Sequence, residues 1–296
     1  MEMPKPIKLL LQKIISPEKY AFLTNKINQV LAPKVEAYAL CMDLLRNKKG
    51  FEIGGPSPIF ARDGILPIYK VAGTIDNCNF SEKTTWEGSL SEGANFYYDK
   101  SKPAGYQYIR DAANLQGIES GTMDFVLSSH NIEHIANPIK ALREWLRILK
   151  ENGVLILIVP HKDGTFDHLR PVSTLDHLIE DFEKETAETD LSHLDEILQL
   201  HDLEKDPGSN DFIEFRKRSD KNYENRCLHQ HVFNLKSVVQ LVAYLGLEIC
   251  SAEAVLPMHI ICVAKKLPID CKPRNDRFLS NRSDYLLKSQ FASDKG

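Results

Sequence analysis

From about residue 50 the chain alternates short apolar runs, each closed by polar or glycine-containing residues, with longer mixed stretches, a rhythm that predicts strands and helices in turn. Phe51-Glu52-Ile53 runs into Gly54-Gly55-Pro56, Ile68 to Ile75 ends at Asp76, Tyr106 to Ile109 ends at Arg110-Asp111, and Phe125-Val126-Leu127 ends at Ser128-Ser129-His130. Asn137 can cap a helix that has Pro138 in its first position and Ile139, Leu142, Trp145, Leu146 and Leu149 on one face. Asn152-Gly153 stops that helix, and Val154 to Val159 is a continuous apolar run suited to a central strand covered on both faces. The unit is a β-α-β crossover, which is right-handed. Later, Asn234 caps a helix carrying Val238, Val239, Leu241, Val242 and Leu245 and ended by Gly246. Leu247 to Ala254 and His259 to Ala264 follow as two strands joined near Pro257, and so short a connection makes them antiparallel.

Two stretches break the rhythm. Near the start, Ile7, Leu10, Leu11, Ile14 and Ile15 sit at helical spacing, predicting a helical arm over 1–47. Between Asp176 and Asp211 thirteen acidic residues face only Lys184 and Lys205, while Leu175, Leu178, Ile179 and Phe182, then Leu191, Leu194, Ile197 and Leu198, keep helical spacing. We read 166–232 as an acidic helical insertion, either a solvated outer face or a lid over the crevice. The expected layout is the arm 1–47, a Rossmann-like cofactor-binding core 48–165, the insertion 166–232, the end of the core sheet 233–266, and a polar, loosely held tail 267–296.

Composition narrows the class. With 43% apolar and 26% charged residues in 296, the chain has material for a sizeable core under a polar surface. Thirty-seven basic against 41 acidic residues exclude nucleic-acid binding through bulk charge, and the acidic insertion repels polyanions, so no nucleic-acid partner is expected. The longest apolar run, Val154 to Pro160, falls far short of the roughly 20 residues that cross a bilayer. The apolar stretch Ile7 to Leu11 precedes no small-residue cleavage site, and a cytoplasmic location is expected. Six cysteines without a C-x-x-C pair indicate reduced thiols rather than a zinc ribbon or a disulfide framework. No oligomeric state is assigned.

The candidate chemistry sits where strands end. A glycine turn at Gly54-Gly55 lets backbone approach a nucleotide, Asp76 lies 22 positions beyond Gly54, where a carboxylate can accept ribose hydroxyls, and Asp111 can take an adenine amino group. Together they describe an adenosine pocket. His130-Asn-Ile-Glu133-His134 also matches H-x-x-E-H, the zinc-peptidase signature, but that chemistry needs one helix through all five residues, and a strand before and Pro138 after argue against it. The pair His229-x-His231 has metal-ligand spacing yet reads as structural, and no metal is expected.

Residues 48 to 266 resemble the class I S-adenosylmethionine-dependent methyltransferases, in particular a branch reading Glu-Ile-Gly-Gly-Pro-Ser-Pro at the first loop, as residues 52 to 58 do. The likeness continues in Asp124 to His134, in Ala136-Asn137-Pro138 through Trp145 to Lys150, in Val159-Pro160-His161-Lys162 and in Thr165 to Pro171. It implies a Rossmann-like seven-stranded α/β sheet with an antiparallel last strand and S-adenosyl-L-methionine as cofactor. Glu52, Gly54 and Gly55 would hold the cofactor's amino-acid part, Asp76 the ribose, and Asp111 with Ala112 the adenine, with Ser129 beside them. The general family loop is G-x-G-x-G, whereas Pro56 and Pro58 stand at its second and third glycines and have no N–H to offer. Contact would rely on the backbone of Gly54, Gly55 and Ser57, and a cofactor-free interaction module is the alternative. Methyl transfer to a hydroxyl needs a base, for which His130 stands first and His161 second, with His168 and Arg170 contacting the acceptor. The acceptor atom is oxygen, less readily nitrogen, of a small or glycan-linked molecule, the glycan being implied by relatives that accompany polysaccharide assembly.

Overall fold

A computed structural model of the chain describes residues 35–206, 208, 211–280 and 283–295. The predicted arm 1–47 lies mostly outside these; its described end forms α1 (Tyr38–Leu44). The strand-helix alternation then runs β1 (Lys49–Ile53), β2 (Thr74–Asn79), a small hairpin of β3 (Lys83–Thr84) and β4 (Gly88–Ser89), β5 (Gly93–Phe96), β6 (Gly105–Ile109), β7 (Met123–Ser129), α2 (Pro138–Ile148) and β8 (Leu149–Pro160). Within 166–232 lie α3 (Leu175–Glu183), α4 (Leu194–Leu200), α5 (Phe212–Ser219) and α6 (Asn222–Asn225); the chain continues with α7 (Leu235–Tyr244), β9 (Glu248–Val255), β10 (His259–Lys265), α8 (Asp276–Leu279) and α9 (Asp284–Lys288).

The main sheet has eight strands in the order β5-β6-β2-β1-β7-β8-β10-β9, rather than the seven expected. Its middle, β6-β2-β1-β7-β8, is parallel, while β5 joins β6 and β10 joins β8 antiparallel. The additional strand is β5, where only Phe96 is buried, so it carries no apolar rhythm to read. The apolar run Ile68 to Ile75 is only partly a strand. Ile68–Lys70 is a 3-10 turn whose Ile68 and Tyr69 are buried under the sheet, and β2 starts at Thr74 and continues to Asn79. Asp76 is therefore in mid-strand opposite Phe51, not at the strand's end.

Central β8 shows why its apolar run is continuous. Leu155, Leu157 and Val159 pack with Trp145, Leu142 and Val238 on one face, and Val154, Ile156 and Ile158 pack with Leu45, Phe60 and Tyr69 on the other. As predicted, the Asn137 side chain caps α2 by accepting from Lys140 N at 3.0 Å. The helix ends at Ile148, and Leu149 pairs with Met123 as the first residue of β8. The tail proves firmly docked, because its polar groups cap backbone elsewhere: Asn275 accepts from Ile249 N and donates to Leu247 O, and Asp294 accepts from Leu235 N at the start of α7. All six cysteines are unpaired. Among the described residues no helix is long and apolar enough to cross a membrane.

Candidate active site

The parallel strands reverse order about β1, and a crevice outside their carboxyl ends at such a point is where α/β sheets bind ligands. Strand β1 carries Glu52 into the interior, at 0% exposure. Tyr69 Oη stands 2.8 and 2.7 Å from its two oxygens, and Ser57 N donates to Oε1 at 3.0 Å. Burial pushes this carboxyl up to about 8 despite those hydrogen bonds. Gly54, at φ +70°, turns the chain, and a Cβ there would fall 2.1 Å from Asn131 Oδ1. Its N–H donates to Cys78 O at 2.8 Å, and that of Gly55 to Asn77 Oδ1 at 2.9 Å. The three loop amides that the prolines leave, those of Gly54, Gly55 and Ser57, are thus all engaged within the protein. Glu52 is a buried prop under the loop and does not face the crevice with a free oxygen.

At the neighbouring strands, Asp76 accepts from Tyr106 N at 2.8 Å and lies 3.6 Å from Lys49 Nζ, serving the sheet rather than its end. The position closing β2 is Asn79, whose Nδ2 donates to Gly55 O at 3.3 Å. Asp111, beyond β6, caps Ala113 N at 2.8 Å and lies 3.3 Å from Arg226 Nη2. Arg226 also pairs with Glu188, and its guanidinium lies 5.3 Å from the Phe80 ring centroid. Glu188 in turn accepts from Ala136 N at 3.0 Å. Arg226 and Glu188 thus stand against Asp111 beyond the end of β6. Ala112 O is taken by Trp145 Nε1 at 2.9 Å, and Ser129 O by Asn131 Nδ2 at 2.9 Å. Ser128 Oγ, paired in register with Ile53, is buried without a partner.

Beyond β7 lies a group of imidazoles and carboxylates. His130 has φ +54°, and its Nε2 is 3.0 Å from His259 Nδ1. Burial, then His259, pushes its pKa down to about 3, so it is a weak base. Glu133 is 1% exposed, neither oxygen has a hydrogen-bond partner among the described residues, and burial raises it to about 7. His134 Nδ1 is 3.0 Å from Leu228 O, and its Nε2 stands 3.8 Å from Glu133 Oε1. His229 Nδ1 lies 2.5 Å from Asp167 Oδ2. Burial opposes charge on His229, but Asp167 outweighs it and the net shift is upward. Burial likewise works to raise Asp167, yet His229 and Arg170 hold it down at about 2. One ligand atom each from Glu133, His134 and His229 falls within 4.8 Å of the others.

Three of the expected residues sit elsewhere or act otherwise. His161 is fully buried beneath the tail: its Nε2 is 3.1 Å from Asp294 Oδ2, and its ring stacks on Phe291 at 3.9 Å. Arg170, at 2% exposure, donates to Asp167, Glu196 and His229 O, so it fixes Asp167 and the 229–230 backbone. His168 Nε2 is 2.8 Å from Asp202 Oδ2 at a half-buried position. The zinc-peptidase reading fails, since Ile132–His134 is a single 3-10 turn after a left-handed His130, and the rings of His130 and His134 have different partners. Sequence reasoning missed Glu133, His134, Asp167, His229 and His259 as one group. The signals were the two histidine motifs, read separately.

Residues 90–157, from just before β5 into β8, match a family model described as a methyltransferase domain. Among solved structures the chain is similar to an S-adenosylmethionine-dependent methyltransferase from Aquifex aeolicus at 12% identity and TM-score 0.41, covering 86% of this chain and 100% of that one. It is also similar to a structure from Listeria monocytogenes described as an S-adenosylmethionine-dependent methyltransferase, at 16% identity and TM-score 0.43, covering 78% and 98%. A third is a Burkholderia thailandensis 1,6-didemethyltoxoflavin-N1-methyltransferase bound to S-adenosylhomocysteine, at 12% identity and TM-score 0.41, covering 86% and 92%. No curated protein sequence matches.

Proposed function

We propose that the chain transfers a methyl group from S-adenosylmethionine to an oxygen, with nitrogen second, of a small or glycan-linked acceptor, and that His229 receives the acceptor's proton. The observation that carries this reading is the Asp167–His229 pair beside buried Glu133, at the strand ends of a sheet with a methyltransferase match. The glycan preference rests on the sequence resemblance. The acidic insertion supports an acceptor other than nucleic acid.

Three residues are candidates for the adenosine half of the donor, two of them, Asp111 and Phe80, already against Arg226. Asp111 offers a carboxylate for the adenine amino group, Phe80 a flat apolar face, and Asn79 a polar group at the end of β2 for the ribose. With the first-loop amides engaged, the methionine end falls to the end of β7, where Ser128 Oγ lacks a partner and Ser129 and Asn131 border Gly54. When bound, S-adenosylmethionine supplies an electrophilic methyl on a positively charged sulfur. The protein's part is to align the acceptor and remove its proton. Asp167 holds Nδ1–H of His229, which leaves Nε2 with the lone pair that takes the proton. Arg170 positions Asp167, and Glu133 can hydrogen-bond the same acceptor group.

Incubation with isotopically labelled S-adenosylmethionine and a panel of hydroxylated and aminated sugars tests the proposal. We expect label on a hydroxyl, with His229→Ala lowering kcat by about 10²–10⁴-fold and leaving donor binding intact. No transfer to either atom, or undiminished kcat in the variant, contradicts it. The engagement of the loop amides favours one second reading, a cofactor-free interaction module acting through 166–232, for which no donor binding is the signature.

A further inference from the structure

We propose that His177, Asp181, His193 and His231 form a tetrahedral zinc site that fastens the acidic insertion to the sheet core. His177 and Asp181, four residues apart on α3, present one face of that helix; His193 directly precedes α4, and His231 lies on the strap leading to α7. One ligand atom from each of the four lies within 4.8 Å of all the others. His177 Nε2 is 3.2 Å from His193 Nε2 and 3.3 Å from Asp181 Oδ2, and His231 Nε2 is 2.9 Å from Asp181 Oδ2. Donors about 2.0–2.1 Å from a tetrahedral zinc stand about 3.3 Å apart along each edge, so these separations are those of a coordination shell.

The surrounding groups point the donors inward. His231 Nδ1 lies 3.1 Å from Ile135 O, which fixes the Nδ1–H tautomer and turns the Nε2 lone pair to Asp181. A neutral imidazole has one proton, and here both of its nitrogens face acceptors, the carbonyl and the carboxylate. A positive charge at Nε2, a second proton or a metal ion, resolves that conflict. Asp181 Oδ1 accepts from Thr186 Oγ1 at 3.0 Å, leaving Oδ2 as the single coordinating oxygen. Three neutral nitrogens and one carboxylate oxygen in this geometry suit zinc, and the closed four-protein shell is that of a structural rather than a catalytic ion. Because His231 N donates to Glu133 O at 3.1 Å, the site ties α3 and the start of α4 to the backbone that bears the proposed active-site carboxylate.

The test is titration of chelator-treated full chain with Zn²⁺ against a chromophoric chelator, together with the visible spectrum on Co²⁺ substitution. We expect one equivalent per chain, the intense d–d bands of tetrahedral cobalt, and a rise in Tm on metal addition. His193→Ala and His177→Ala, both at partly exposed positions, should fold yet bind zinc more weakly by more than the roughly 10–100-fold that losing an outer-shell partner costs. His134→Ala should leave the zinc affinity unchanged. Absence of tight binding by the folded wild-type chain overturns the proposal, as does a zinc affinity indifferent to His193→Ala and His177→Ala or lost in His134→Ala.

Discussion

Glu52 is a carboxyl placed where water cannot reach it, and its energetics can be measured apart from catalysis. Its folded-state pKa, about 8 against an ordinary 4.5, is raised chiefly by burial. Between those two values the folded chain holds a proton that the unfolded chain releases, so stability falls as pH rises through that window. Glu52→Gln keeps an acceptor for Ser57 N and Tyr69 Oη and removes the titration. We expect Tm of the wild type to drop from pH 4.5 to pH 8 more steeply than that of the variant; parallel profiles would contradict the burial argument. At this scale the sequence was legible where a residue's role is local. The glycine turn at Gly54 and the cap at Asn137 stand where their neighbours predict. His229 was not legible, because its partner Asp167 lies 62 positions away. Asp76 misled because the apolar run before it is half turn, which moved the strand's end three residues on to Asn79.

Helices α2 and α7 follow from period and caps alone. In α7 the cap is reciprocal: Asn234 Oδ1 accepts from Ser237 N at 2.9 Å, and Ser237 Oγ accepts from Asn234 N at 3.1 Å. Asn234→Ala should cost about 0.5–2 kcal/mol, read as a lower denaturation midpoint with unchanged slope. A change under 0.2 kcal/mol, within ~0.5 kcal/mol surface variation, would mean that the cap is idle. The insertion helices α3 and α4 were equally visible in the periodicity, with Leu178 and Ile197 buried as their spacing requires. What fastens them was not visible. Arg226 meets Asp111 across 115 positions, and the four-residue cluster draws on three separate segments. The same limit applies to the tail, whose polar residues looked unattached in sequence and prove to be caps for α7 and β9.

Across the whole molecule, the β7-α2-β8 crossover and the antiparallel β9-β10 pair follow from crossover handedness and a short connection, both written in the chain, whereas the order of the remaining strands depends on contacts distant in sequence. Strand β5 escaped because an edge strand facing solvent needs no apolar pattern. The groups proposed to hold adenosine, Asn79 with Asp111, and those proposed for the acceptor, Asp167 and His229 with Glu133, come from segments far apart in the chain, with Arg226 and Glu188 paired beside Asp111. The central claim is that this crevice holds S-adenosylmethionine in spite of Pro56 and Pro58. Calorimetric titration with S-adenosylhomocysteine of the wild type, Asp111→Ala and Asp76→Asn tests it most directly. Saturable binding in the micromolar range is expected, about −8 kcal/mol at 1 μM, weakened at least tenfold by Asp111→Ala and unchanged by Asp76→Asn. No binding to the folded wild type, or a loss on Asp76→Asn equal to that on Asp111→Ala, would contradict it.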